Sequence, residues 1–482
     1  PDDPRLWVDI GRLRYVGGEH LLAIEAAERA LVKGGEDVRA LELRAELLRD
    51  SQGWAAALPL YARAVDIAPN DRALLAGYAA TLGEAGQVRQ MLAVTRKLLS
   101  IAPRNPQAWY LQAVLAARAG KVDLARAMLN RAGQRLKSVP AARLLEATLE
   151  LEAGNAEVAV GLLEGLDRDQ PANHRVQMLL ARAYLDAGAY DVLFSRFDIA
   201  ARRDDAPPYL LAILARAHEE RGDRTAAASY LDRAAAAGAM PLAGTVPSAQ
   251  RGDAAAQWAA NPANSGAAVA HVRQLLARGE IEPAGRVADR MLQLRPGSLD
   301  ALGLAGDLDL VRGNPASAID RYLLSARVRF PDHLLLRIDE AYARAGRAWE
   351  GQALTSRYLA GYPGSLLGAR LAADYAAHSG DWGAVAGLLA NVQVRGGNRD
   401  ARLLADLAHA RLKLGETDAA LDVARRSWRL APQSAAAAQG WGLALAASGK
   451  DPQLARQLLD QARALGGDSP ALAEARSKLS AS

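Results

Sequence analysis

Metal binding, phosphate binding and nucleophilic catalysis each need particular side chains at particular spacings, and this chain offers few of them. Its 7 histidines, His20, His174, His218, His271, His333, His378 and His409, are scattered, with no pair four residues apart and no HExxH. Two ligands on one helical face are the usual start of a zinc site, so no local metal site is expected. Cysteine is absent, which removes disulfides, thiolate zinc sites and thiol catalysis together. No GxSxG, no GxxxxGK[ST] and no calcium-loop pattern occurs. The pairs Gly303/Gly306 and Gly440/Gly442 hint at a dinucleotide loop, but that fingerprint follows a strand and these lie inside helical runs, where packing explains them better. Asp307 and Asp309, two apart on a helix, face different ways and cannot act as a local carboxylate pair. The sequence therefore supports no enzyme: no catalytic, cofactor-binding or metal residue is expected, and no cofactor.

Composition narrows the class further. Half of the 482 residues are hydrophobic, enough to bury a large core. The net charge of +5 is the small difference between 59 basic and 54 acidic side chains, so no footprint for nucleic acid is expected despite a pI near 9.4. Arg outnumbers Lys by 52 to 7, which reads as the codon bias of a GC-rich bacterial genome. No apolar run approaches the roughly 18 residues of a membrane span. The lack of cysteine points to the bacterial periplasm or cell envelope, with the cytoplasm as the alternative. A start at proline without a signal peptide reads as a trimmed chain whose upstream signal, anchor or companion domain is out of view.

The elements that would position any site are set by a repeat. Gly86, Gly120, Gly154, Gly188 and Gly222 lie 34 residues apart, and Ala79, Ala113, Ala147, Ala181 and Ala215 each precede one of them by seven. An apolar run, a glycine stop, a second helical run and often a proline, as at Pro69, Pro103 and Pro171, describe a helical hairpin. The first hairpin spans 4 to 37. The second, 38 to 71, has Gly53 one place late and Pro59 inside its second helix, both explained by a shortened turn. The period breaks after Gly222 and resumes from 265 with glycine stops at 279, 313, 346, 380, 415 and 449. The broken stretch holds a short helical run, Asp253 to Ala260, read either as a decayed repeat or as a hinge or ledge presenting Trp258 to a partner. Near the end, Ser469 and Pro470 start a helix whose stripe Leu472, Ala475 and Leu479 would cap the last apolar face, with Glu474, Arg476 and Lys478 facing away.

This pattern resembles the tetratricopeptide repeat (TPR), a helix-turn-helix unit with a 34-residue period. The resemblance implies an all-α, right-handed superhelical solenoid of about thirteen hairpins: an N-terminal array over 1–241 of about seven repeats, an irregular insertion or decayed repeat at 242–264, a C-terminal array over 265–467 of about six, and a capping helix and tail at 468–482. It also implies a scaffold or adaptor that binds partner proteins or extended peptides on the concave side, lined by the first helix of each hairpin. The family's groove positions fall on Tyr110, Arg118, Arg175, Met178, Arg182, Tyr209, Arg216 and Arg273, with Arg182, Arg216 and Arg273 forming a basic row. The bland alternative is that Arg182 pairs with Asp186 and Arg216 with Glu220 on the helix surface, worth about 0.2–0.5 kcal/mol each. Two variants of the scaffold reading stay open: a periplasmic or lipoprotein scaffold of a bacterial exopolysaccharide or protein export machine, and a regulatory array belonging to a larger enzyme.

Overall fold

Helix ends are dictated first. Asp37, Asp71, Asn105, Asn173, Asn264, Ser365, Asp400 and Ser434 stand at N-caps, each accepting a backbone N–H of the helix that follows. Such caps satisfy donors that the first turn leaves unpaired and are worth about 1 kcal/mol each. At the other end Gly86 and Gly120 take φ of 71° and 69°, and the N–H of the following residue returns to the carbonyl of Leu82 or Ala116 at 2.9 Å. This left-handed stop demands glycine for its backbone alone, since a Cβ at either position would meet nothing within 4 Å.

The computed structural model describes residues 3–133, 136, 138–170, 173–202, 206–236, 253–394, 400–432, 434–466 and 469–481. Among these every regular element is an α-helix, and successive helices pair as hairpins, giving an all-α solenoid. The chain forms two compact units, one of residues 1–187 and 241–364, the other of 188–240 and 365–482. The break expected to begin at 242 falls among residues 237–252, outside the described residues.

Unit one opens with the hairpins Pro4–Val16/His20–Lys33 and Val38–Gln52/Trp54–Ile67. Only Gly53 separates the second pair, so the turn is shortened, and Pro59 lies inside the second helix. The regular hairpins follow with Ala79, Ala113 and Ala147 fully buried where two helices cross, and Ala181 of helix His174–Asp186 is fully buried as well. Farther on, every residue from Ala301 to Leu310 in helix Leu299–Val311 is buried. A helix apolar on all sides has to be enclosed on all sides. Gly306 is part of that enclosure, because a Cβ there would sit 2.6 Å from the Tyr322 ring. The short helix Ala254–Ala260 packs Trp258 against the core of Ala268, Val272 and Leu308 and stacks its ring on His271 at 5.6 Å. Trp258 therefore serves a core and is not held out on a ledge.

In unit two, helices Ala435–Ser448 and Pro452–Gly466 form the last hairpin, and helix Pro470–Ala481 closes it. Leu472 and Leu479 are buried with Leu458, Leu459 and Ala462, and Ala475 packs beside them. Ser469 Oγ accepts the Leu472 N–H at 3.3 Å. Lys478 and Glu474 pair in solvent, as the stripe implies. Arg476 differs, reaching back to Asp460 at 2.7 Å and tying the cap to the helix before it. At Gly442 a Cβ would press on Leu459 at 2.9 Å, so this glycine too is a packing residue.

Candidate protein-binding surface

Several first helices bury one stripe and leave another open, unlike the enclosed helix Leu299–Val311, and the sequence-selected residues sort along that division. In helix His174–Asp186, Val176, Leu180 and Ala181 are buried, while Arg175 is exposed and Met178 half-buried. In helix Pro208–Glu220 of unit two, Leu210, Leu211 and Leu214 are buried and Tyr209 is 52% exposed. Tyr110 is half-buried, and burial pushes its phenol pKa up despite the Arg118 charge nearby.

The arginines carry structural engagements of their own. Arg182 pairs with Asp186 at 3.3 Å and with Glu152 of the preceding hairpin at 3.7 Å. Arg216 lies between Glu219 at 3.0 Å and Glu220 at 2.8 Å. Arg118 donates to the Gly83 carbonyl oxygen at 2.7 Å, and Arg344 reaches Leu310 oxygen at 3.5 Å in the same manner, so each ties its helix to the end of the preceding first helix. Arg182 and Arg273 belong to unit one and Arg216 to unit two.

Around Arg273 the sequence left most unread. Asp307, almost wholly buried, accepts the Tyr322 hydroxyl at 2.8 Å and faces Arg337 at 3.4 Å. Burial raises the Asp307 pKa, while the Arg337 charge, the Tyr322 hydrogen bond and the Arg273 charge pull it back down. Asp309 points elsewhere, to Arg321 at 2.6 Å and Ser317 at 2.6 Å. His333 lies on the edge of this cluster, where desolvation first, then the Arg337 and Arg273 charges against the opposing Asp332, push its pKa down to about 4. Asp307 and Asp309 in the largely apolar run LDALGLAGDLDLV were the available signal for this network, because a buried carboxylate has to find donors.

The first helices of the opening hairpins add a mixed strip. Arg12 pairs with Glu42 at 3.2 Å and lies 3.9 Å from Glu46, and burial raises the pKa of both carboxyls. Among the described residues no group of three or more metal-ligating side chains converges, and no helix is long and apolar enough to cross a membrane.

Hairpins with buried small residues at each crossing define a helical-repeat protein. Residues 8–72, 83–137 and 144–192 match the tetratricopeptide repeat family, so the chain carries tetratricopeptide repeats over these stretches. No curated protein matches the sequence. Among solved structures, the chain is similar to one in the APC/C hetero-tetramer Cut9–Hcn1, at 16% identity over 99% of this chain and 95% of that one, with a TM-score of 0.37. A tetratricopeptide repeat protein from Parabacteroides merdae matches at 17% identity over 49% of this chain and 93% of its own, TM-score 0.36. The Thermus thermophilus protein TTC0263 matches at 21% over 38% and 99%, TM-score 0.33. Repeats of this family support a protein-interaction scaffold in general, and the fold is typically non-catalytic.

Proposed function

We propose that the protein is a non-catalytic scaffold that holds partner proteins or extended peptides along the open stripe of its first helices. The observation that carries this reading is the division within those helices, where Arg175 and Tyr209 stand exposed and Met178 half-buried opposite buried leucines and alanines. Binding energy comes from the tyrosine and methionine, which combine large contact area with few rotatable bonds or with adaptability. Arg118, Arg182, Arg216 and Arg273 set register and charge preference, each weakened as a free cation by the acids or carbonyls around it. Tyr110 adds a half-buried edge on its own first helix, Pro106–Arg118. Truncating Tyr209 and Met178 to Ala tests this in pull-downs from extracts of cells that make the protein. Loss of partner recovery supports the reading when the second-helix control Val158→Ala, a residue 55% exposed, keeps it. Equal recovery by all three proteins would overturn it.

A further inference from the structure

Unit one contains a seam between segments far apart in the chain. At the first hairpin turn, the Nδ1 of His20 accepts the Leu299 N–H at 3.1 Å and the Leu21 N–H donates to Gly297 oxygen at 3.4 Å. One hairpin later the Asp50 carbonyl oxygen accepts the Phe330 N–H at 2.9 Å and the Tyr362 hydroxyl at 3.0 Å, and the Asp50 carboxylate pairs with Arg329 at 3.3 Å. The His20–Leu299 and Asp50–Arg329 contacts have the same chain separation, 279 residues. Two consecutive hairpin turns thus mate with three consecutive inter-hairpin loops, the first two of them in register. Gly53 and Gly361 let the backbones touch, and a Cβ on Gly361 would overlap the Gln52 carbonyl oxygen.

Of these five bonds, two join backbone to backbone and three use a side chain; Val328 and Leu299 pack into the core of the opening hairpins, and beside them the seam leaves a cleft of about 360 Å³ bounded by Ile24, Arg44, Ser51, Leu323 and Arg327. At its first contact a histidine nitrogen must be unprotonated, since protonation of Nδ1 would set one N–H against another. We propose that the seam is a latch closed at neutral pH and opened by acid through His20, releasing the opening hairpins from residues 295–364.

The groups facing His20 agree in sign. Burial lowers its pKa most, Asp300 raises it, and Arg329 and Arg295 lower it, while Tyr15 of its own hairpin packs edge-on at 4.9 Å. Parting restores the ordinary histidine value near 6.5, so the open form takes up the proton more readily. Closure is favoured fully above about 6.5, and below it the open-to-closed ratio climbs by up to about tenfold per pH unit until the closed-state pKa is reached.

Because the protein has no cysteine, spin labels at Val32→Cys and Trp349→Cys, 84% and 71% exposed and on opposite sides of the seam, report its width by pulsed dipolar spectroscopy. A Val16→Cys/Val32→Cys pair inside the first hairpin is the control. The parent is expected to gain a long-distance population between pH 7.5 and 5 that His20→Gln, which keeps an acceptor but cannot titrate, abolishes. Gly361→Ala, at a helix end without positive φ, is expected to show that population at every pH. An unchanged parent distance, or the same acid shift in His20→Gln, overturns the latch. If the control distance shows that Gly361→Ala has disturbed the hairpin, the His20 comparison decides alone.

Discussion

Replacing Gly306 and Gly440 by alanine should move local stability in opposite directions, although both glycines lie inside first helices. Alanine favours a helix interior by about 1 kcal/mol over glycine. At Gly440 the new methyl meets Ala405 at 3.8 to 3.9 Å, ordinary contact, so the full gain of about 1 kcal/mol is retained. At Gly306 the same methyl would stand 2.6, 2.8 and 3.1 Å from three atoms of the Tyr322 ring. That ring is fully buried, and its hydroxyl is bonded to buried Asp307, so it cannot slide away without breaking the bond. Overpacking of this kind costs about 1–3 kcal/mol, leaving a net loss of about 1 kcal/mol after the propensity gain. Repeat arrays do not unfold in one step, so the assay is native-state hydrogen exchange read hairpin by hairpin. Exchange over 299–328 should quicken about fivefold in Gly306→Ala, and over 435–466 slow about fivefold in Gly440→Ala. Equal slowing in both variants would refute the argument that Tyr322 is pinned.

Three further outcomes follow from the same packing. Ala113→Leu inserts volume at a fully buried crossing and should cost about 1–3 kcal/mol, seen as faster exchange confined to the hairpin 106–132 and its neighbours. Tyr322→Phe removes a hydrogen bond to a buried carboxylate and should cost about 1.5–3 kcal/mol in hairpin 299–328, measured the same way. His333 is held neutral, so its folded pKa lies below the unfolded value; its contribution to stability is present above pH 6.5 and lost as pH falls towards about 4. An NMR titration of its ring should show a midpoint near 4, and a midpoint near 6.5 would contradict the assignment.

Much of the fold was legible because its causes are local. A glycine stop such as Gly120 answers to its own backbone, and the shortened turn at Gly53 follows from counting residues. The Asp and Asn caps at 37, 71, 105 and 173 went unread, although each is a small polar residue just ahead of its first helix. The direction of Trp258 was not legible, since a helix of seven residues has too little periodicity to fix its rotation. Groove arginines were placed by the groove positions that the family resemblance implies, but those positions say nothing of a carbonyl one repeat away, and so Arg118's bond to Gly83 was invisible. Least legible was the seam, because contacts separated by 279 residues leave no trace in a local pattern.

The central claim, that partners lie along the first helices, is tested most directly by site-specific photo-crosslinking. A photoreactive amino acid replaces Met178 or Tyr209 on first helices, and Val158 or Val192 on second helices, each of the last two about half exposed (55% and 45%). The scaffold account predicts a discrete crosslinked partner from Met178 and Tyr209 and none from Val158 and Val192. The same partner crosslinked from the second helices alone would contradict it.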